Sequence, residues 1–198
     1  MIRVKWRVVL GLLAALPGSG LAAETVLFNE SPAYLCYLAA NERRPRDEGL
    51  EDCDAAIAKE NLTPTALAAT LSNRGLLRAR GGAIEAALSD HDRAVRLTPE
   101  VASLFINRAN AYTLREQFLP ALQDLDYAVA LGDEQVHLAF YNRALIHQRL
   151  GNLAAARSDA EAALATVPES DRYASLLESL SPGARQPDAD DDIEPSTP

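Results

Sequence analysis

The chain has 198 residues and a formal net charge of −9 at pH 7. An acidic balance of this size repels nucleic-acid phosphates and anionic membrane surfaces, so neither is expected as a partner. The length is sufficient for one domain with its own hydrophobic core.

The first 23 residues have the pattern of a secretory signal peptide. Three cations within the first seven residues precede an apolar run over residues 8–16, and a small-residue cleavage site follows at Ala22 or Ala23. The run is too short to span a bilayer, although an uncleaved membrane anchor is the alternative. We therefore expect an exported, periplasmic or secreted protein with no stable membrane insertion after removal of residues 1–23. Loss of the three cations would change the net charge from −9 to −12.

Residues 24–67 contain both cysteines of the sequence, Cys36 and Cys53. Export delivers a chain to compartments that permit disulfides, and an even count leaves no orphan thiol. The two cysteines lack the Cys-x-x-Cys spacing of redox and zinc sites. We therefore predict one disulfide between them.

One pattern recurs three times after this region. An Asn-Arg-small triplet occupies residues 73–75, 107–109 and 142–144, so that its starts lie 34 and 35 residues apart. Two alanines follow each triplet at the same spacing in every unit, first Ala87, Ala121 and Ala156, and then Ala94, Ala128 and Ala163. A fixed period of this length is typical of a solenoid, and apolar residues recur at helical spacing on both sides of a polar or glycine break. The sequence therefore predicts an all-α solenoid of antiparallel helix pairs.

The repeated positions resemble the tetratricopeptide repeat. The residues that carry the resemblance are Phe105, Ala109, Tyr112, Ala121, Leu125 and Ala128, followed by Phe140, Ala144, Ala156, Ala163 and Pro168. The resemblance covers about residues 68–168 and implies three units whose first helices line a concave groove. Where the family usually has a leucine before the small residue, this chain has an arginine in every unit.

Each of these arginines is followed by an aspartate at a spacing that is identical in all three units. The pairs are Arg74 with Asp90, Arg108 with Asp124, and Arg143 with Asp159. A charge at a helix-facing position needs a partner, because an unpaired buried charge is costly. We therefore predict an Arg–Asp pair between the two helices of each unit. The alternative is that the arginines bind an acidic ligand.

The helix pair predicted at residues 24–67 aligns with the repeats as a degenerate fourth unit. In this alignment Cys36 takes the arginine position, Tyr37 the small-residue position and Asp52 the aspartate position. The alignment predicts that the disulfide from Cys36 to Cys53 replaces the missing Arg–Asp pair.

The chain after the third unit is predicted to cap the array, which completes a region of three units and a capping helix over residues 68–181. Apolar residues recur at helical spacing after Ser170, namely at Tyr173, Leu176, Leu177 and Leu180. A solenoid end needs such a helix because it otherwise exposes an apolar face. Residues 182–198 are proline-rich and acidic, which predicts disorder. This acidic segment either binds a partner or increases solubility.

The sequence contains no pattern of catalytic, cofactor-binding or metal-binding residues. The three histidines, His91, His137 and His147, lack metal-ligand spacing, and no phosphate-binding glycine loop or nucleophile motif occurs. We therefore expect a binding protein and not an enzyme, with no cofactor and no metal.

The resemblance assigns the candidate binding residues to the concave groove. In the family, asparagines of the first helices hold the backbone of an extended peptide or a partner helix, and a carboxamide suits this role because it offers both a donor and an acceptor. The candidate residues are Asn73, Asn107, Asn110, Asn142, Tyr141, Arg80 and Arg149. The alternative is that the asparagines bind only water or neighbouring helices. Members that clamp the end of a chaperone use groove lysines, and these repeats contain none.

Together these inferences predict an exported bacterial scaffold that binds a protein or peptide in the concave groove and helps to assemble an envelope complex. The alternative is a structural protein that self-associates through the end faces of the solenoid and has no groove ligand. A homo-oligomer is compatible with either prediction.

Overall fold

The computed structural model describes residues 31–41 and 44–181, and all regular structure within these ranges is α-helical. The all-α prediction is confirmed. The predicted signal peptide at residues 1–23 and the predicted disordered segment at residues 182–198 lie outside the described residues. Within the described ranges, no helix has both the length and the apolar character needed to cross a bilayer.

The helices follow one another as antiparallel pairs. They are α1 (Pro32–Ala40), α2 (Arg46–Lys59), α3 (Pro64–Arg80), α4 (Ile84–Leu97), α5 (Ala102–Leu114), α6 (Phe118–Leu131), α7 (Val136–Arg149), α8 (Leu153–Thr166) and α9 (Asp171–Ser179). The first member of each pair also contacts the first member of the next, from α1 to α3, α5 and α7. This stacking is the α-solenoid that the repeat period predicts.

Small residues let the two helices of a pair approach closely. Ala87, Ala121 and Ala156 are completely buried at equivalent places on α4, α6 and α8. Gly75 on α3 shows how little room there is, because a Cβ atom at this position would lie 2.7 to 3.0 Å from the ring atoms of His91. Helix pairs with small residues at the contact pack with short interaxial distances.

The turn between the two helices of each unit needs one residue with a positive φ. Gly82 and Gly151 supply it in the first and third units with φ values of 79° and 76°. The equivalent residue of the middle unit is Glu116, with φ of 58°. A side chain in this left-handed region costs about 1 kcal/mol, which glycine avoids. Glu116 is therefore a strained choice at a position where the other two units use glycine.

The disulfide between Cys36 and Cys53 is present and joins α1 to α2, so the predicted pairing is confirmed. The alignment of Cys36 with the arginine position is wrong by one residue. Cys53 follows Asp52 as His91 follows Asp90, and His91 lies against Gly75. Cys36 therefore occupies the small-residue position of its unit.

This shift also changes the expected neighbours of the disulfide. Tyr37, assigned to the small-residue position, is instead 46% exposed. Asp52 forms an ion pair with Arg44, 3.2 Å away. Arg44 precedes α2 and is not part of α1, so this ion pair does not join the two helices, and α1 has no arginine that could form the repeated Arg–Asp pair.

Helix α9 packs against α8 and buries an apolar face there. Tyr173 is 4% exposed, and Leu176 and Leu180 are each 7% exposed. Leu176 and Leu180 share a buried cluster with Ala144 of α7 and Ala156 of α8. Helix α9 therefore lies where the first helix of a further unit would lie and covers the last repeat.

Candidate functional site

The three arginines of the repeated triplet lie against the aspartates that the sequence pattern assigns to them. In the middle unit, Nε and Nη2 of Arg108 donate to Oδ2 and Oδ1 of Asp124 at 2.8 and 2.7 Å. The corresponding pairs are Arg74 with Asp90, at 2.9 and 2.7 Å, and Arg143 with Asp159, at 2.9 and 2.6 Å. Two parallel charge-assisted bonds fix both the distance and the orientation of the paired helices.

Each arginine also binds a second aspartate that sequence reasoning missed. Its Nη1 donates to an aspartate on the second helix of the preceding unit. These bonds join Arg74 to Asp54 at 2.6 Å, Arg108 to Asp92 at 2.9 Å, and Arg143 to Asp126 at 2.6 Å. The sequence contained a sign of these bonds, because each of the three aspartates is the second aspartate of an Asp-x-Asp motif. Every arginine thus joins three helices.

The electrostatics of these pairs keep the arginines charged. The hydrogen bond to Asp124 raises the pKa of Arg108 more than burial lowers it, and the bond to Asp159 does the same for Arg143. The partner aspartates are almost completely buried. Because three nitrogen atoms of each guanidinium are bonded within the chain, the arginines join neighbouring helices of the solenoid.

Carboxylates are absent from every first helix. Helices α1, α3, α5 and α7 contain no aspartate or glutamate, whereas α2, α4, α6 and α8 each contain at least two. The first helices carry Arg74, Arg78, Arg80, Arg108, Arg143 and Arg149. The first helices therefore carry no carboxylate of their own, and most of their arginines are neutralised by aspartates of the second helices.

A cavity of about 820 Å³ lies between α5 and α7. Its polar lining includes Asn110, Asn142, Gln148 and Arg149, and its apolar lining includes Phe118 and Leu145. A concave site with an apolar floor and a few convergent polar groups is the usual form of a binding pocket.

The carboxamides in this cavity keep groups available for a ligand. Nδ2 of Asn142 donates to Oδ1 of Asn110 at 2.9 Å. In the described part of the chain, neither Oδ1 of Asn142 nor Nδ2 of Asn110 has another hydrogen-bond partner. One acceptor and one donor thus remain side by side, as a peptide backbone requires.

The other two predicted asparagines belong to a separate and smaller cavity. Asn73 and Asn107 line a space of about 220 Å³ together with Tyr37 and Ser72. Nδ2 of Asn107 donates to the hydroxyl of Ser72 at 3.0 Å. The four predicted asparagines therefore form two pairs and not one continuous row.

Tyr141 and Arg80 lie at helix contacts. The ring of Tyr141 packs 5.2 Å from that of Tyr173 on α9, and the guanidinium of Arg172 lies 4.3 Å from its centroid. Tyr141 thus contacts the capping helix and does not line either of the two cavities. Nη1 of Arg80 donates to the carbonyl of Ala39 at 3.5 Å, which ties α3 to α1.

Arg149 is at the rim of the larger cavity, where it was expected. Its Nη2 lies 3.3 Å from Oε1 of Glu116, and its guanidinium carbon lies 5.7 Å from the centroid of Phe118. Both members of the ion pair are more than half exposed. An exposed pair of this kind is weak and exchanges readily for other partners.

The histidines take part in packing. His91 is completely buried, and neither ring nitrogen has a hydrogen-bond partner in the described chain. Nδ1 of His137 lies 2.7 Å from the hydroxyl of Tyr173. Among the described residues, no group of three or more histidine, cysteine or acidic side chains is arranged to hold a metal ion.

Taken together, the helix pairs, their stacking and the concave cavity define an α-solenoid with a preformed groove. The solved structures that it resembles are tetratricopeptide-repeat proteins, and the described chain has their solenoid fold. The resemblance to the tetratricopeptide repeat is confirmed. No protein-family model matches the sequence, and no curated protein matches it significantly.

Three solved structures illustrate the likeness. The second tetratricopeptide domain of human RPAP3, in complex with the HSP70 peptide SGPTIEEVD, is 27% identical with a TM-score of 0.55 and covers 60% of this chain and 98% of its own. A tetratricopeptide protein from Parabacteroides merdae is 25% identical with a TM-score of 0.59, and the match covers 76% of this chain and 60% of that protein. MamA is 17% identical with a TM-score of 0.59, and the match covers 73% of this chain and 80% of MamA. This likeness concerns the fold alone.

Proposed function

We propose that this protein is a non-catalytic scaffold that binds an extended segment of a partner protein in the cavity between α5 and α7. The observation that carries the proposal is the open pair of carboxamide groups on Asn110 and Asn142 above an apolar floor. The likeness to a domain in complex with a short peptide supports the same mode of binding.

The geometry suits a peptide ligand in two ways. The free acceptor of Asn142 and the free donor of Asn110 match the N–H and C=O of one peptide unit. Phe118 and Leu145 offer apolar surface to a neighbouring side chain. The surrounding helices are held by the Arg–Asp pairs before any ligand arrives, which lowers the ordering cost of association.

We further propose that the protein acts after export, in a bacterial periplasm or outside the cell, in the assembly of an envelope complex. The signal-peptide pattern of residues 1–23 supports export. The disulfide between Cys36 and Cys53 supports an oxidising compartment.

The proposal is tested by affinity capture from an envelope extract. The test variant carries Asn110→Ala and Asn142→Ala, and the matched control carries Asn73→Ala and Asn107→Ala in the smaller cavity. We expect the wild-type chain and the control to retain one specific partner, and the test variant to lose it while its circular dichroism and unfolding midpoint stay unchanged.

Two results would contradict this proposal. If a correctly folded test variant captures the same partner as the wild-type chain, the two carboxamides serve only packing. If the control variant alone loses the partner, the binding site lies between α3 and α5.

Self-association is a second candidate, because four leucines are left exposed at one edge of the solenoid. Leu114 and Leu119 flank the turn between α5 and α6, whereas Leu150 and Leu153 flank the turn between α7 and α8; their exposure ranges from 44 to 69%. The C-terminal end face exposes less apolar surface, since Leu176 is buried within it.

Sedimentation of the wild-type chain beside a variant with Leu119→Ser and Leu153→Ser separates the two candidates. A dimer that is lost in the variant supports self-association, and a monomeric wild-type chain excludes it.

A further inference from the structure

The chain leaves the capping helix close to the larger cavity. Leu180, at the end of α9, is packed in one cluster with Ala144 of α7. The next residue of α7, Leu145, lines the cavity. Ser181 is the last residue described, so residues 182–198 begin at the end of α9, the helix that packs beside α7.

The charges of the segment and of the cavity are complementary. Residues 188–194 contain five carboxylates, at Asp188, Asp190, Asp191, Asp192 and Glu194. The cavity lining includes Arg149 and no carboxylate, and the first helices on either side contain none. An acidic segment therefore meets one exposed cation and no like charge in this lining, whereas the carboxylates of the second helices would repel it.

Glu116 shows that the cavity rim accepts a carboxylate. Its side chain pairs with Arg149 across 3.3 Å, from a turn position where the other units have glycine. A residue other than glycine at this position costs about 1 kcal/mol of backbone strain, and here that residue supplies a carboxylate at the rim. Glu116 is therefore a built-in competitor for any other anionic group at Arg149.

We propose that the acidic segment at residues 188–194 occupies the cavity between α5 and α7 of its own chain, in competition with Glu116 for Arg149. This inference rests on the proposed function, because it assigns an occupant to the proposed binding groove. The segment then acts as an internal ligand that an external partner must displace.

The connection is long enough for this contact. Asp188 is seven residues beyond Ser181, which an extended chain spans in up to about 25 Å. A short tether gives an effective concentration of about 1 mM, so that a contact with a dissociation constant of about 1 mM is half occupied. Because an ion pair with Arg149 is exposed, salt weakens the contact.

The contact is measured on the full chain with a nitroxide attached at a Ser196→Cys substitution. We expect the spin label to broaden the side-chain amide resonances of Asn110, Asn142 and Gln148 much more than the backbone resonances of α4. High salt should remove this difference. A 1:1 mixture of spin-labelled and isotope-labelled chains should show no such broadening, because the contact is within one chain.

Three variants test the charges. Neutralising the five carboxylates of residues 188–194 to amides, or changing Arg149→Gln, should abolish the selective broadening. Glu116→Gly should increase it and also stabilise the fold, since the change removes both the competitor and the strain. Glu178→Gln on α9 is the matched control and should change nothing.

Binding of a synthetic peptide of residues 182–198 gives an independent measure. The attached segment competes with the peptide, so we expect the chain with five neutralised carboxylates to bind it at least about tenfold more tightly than the wild-type chain does. Equal affinities, uniform broadening, or broadening only in the mixed sample would overturn the inference. If the tail does not contact the cavity, capture of a partner through Asn110 and Asn142 is unaffected. If the capture experiment alone fails, only the proposed function is overturned.

Discussion

At the scale of single residues, the arginine of each triplet replaces the leucine usual in the tetratricopeptide family. Leucine would fill the space between helices without specifying which helices meet. The guanidinium of Arg108 instead bonds Asp124 of its own unit and Asp92 of the preceding one. Buried charge pairs often add little net stability, but a missing partner is costly, so these residues favour one arrangement of three helices.

The two bonds of Arg108 should differ in strength. The side chain of Asp124 is 8% exposed and that of Asp92 is 38% exposed. In double-mutant cycles with alanine, we expect a coupling energy of about 2 kcal/mol or more between Arg108 and Asp124, and of less than about 1 kcal/mol between Arg108 and Asp92. Urea unfolding of the four chains in each cycle measures both values. Similar coupling energies for the two pairs would show that burial does not set their strength.

His91 should make the fold sensitive to acid. Burial lowers the pKa of His91 from 6.5 to about 4, and Arg108 adds to this effect while Asp90 opposes it. Between these pH values the unfolded chain binds more protons than the folded chain, so stability falls as the pH drops from 6.5 towards 4. The loss is roughly 3 kcal/mol in total and is absent above the unfolded pKa.

The matched variant for this effect is His91→Leu, because Leu125 occupies the equivalent position in the middle unit. Carboxylates titrate in both chains, so the difference between their urea-unfolding free energies isolates His91. We expect this difference to change by roughly 3 kcal/mol from about pH 7 to about pH 4. Parallel pH profiles for the two chains would show that His91 is not held neutral by burial.

At the scale of the elements, the helix pairs and the disulfide were predictable, but their register was not always so. The repeated alanines lie buried on the second helices α4, α6 and α8, as the repeat pattern predicts. In the N-terminal helix pair, Cys36 and Cys53 are 17 residues apart, whereas Gly75 and His91 are 16 apart, so the spacing shared by the repeats fails there by one residue. Cys36 was misaligned by one residue for this reason, although its pairing partner was correct.

The disulfide should matter most for this shortest helix pair. Helix α1 contributes no arginine to the repeated ion pairs, so the covalent bond is its main specific tie to α2. Changing Cys36→Ser and Cys53→Ser should lower the free energy of unfolding by about 3 kcal/mol, because 17 residues separate the two cysteines. Hydrogen exchange should become faster in α1 and α2 but remain slow in α7 and α8. Uniformly faster exchange would show that the disulfide supports the whole array.

At the scale of the whole molecule, the solenoid sorts the charges of an acidic chain onto different faces. The first helices stack side by side and carry only cationic or neutral side chains, whereas the second helices carry the aspartates. Because neighbouring units contact each other in sequence order, this sorting repeats along the molecule. The result is a row of first helices that has no carboxylates and contains a cavity, in a protein whose net charge is −9.

Within the three repeated units, the sequence by itself determined which helices pair and which charged side chains join them. The period predicted the helix pairs, and the constant spacing from arginine to aspartate predicted which aspartate each arginine meets, because two antiparallel helices joined by a short turn have little freedom. Only the tertiary structure decided what happens between units. The rotation from one unit to the next brings Asp92 to Arg108, separates the asparagines into two cavities and turns Tyr141 towards the cap. That rotation depends on how side chains of neighbouring units pack, which a repeat period does not encode.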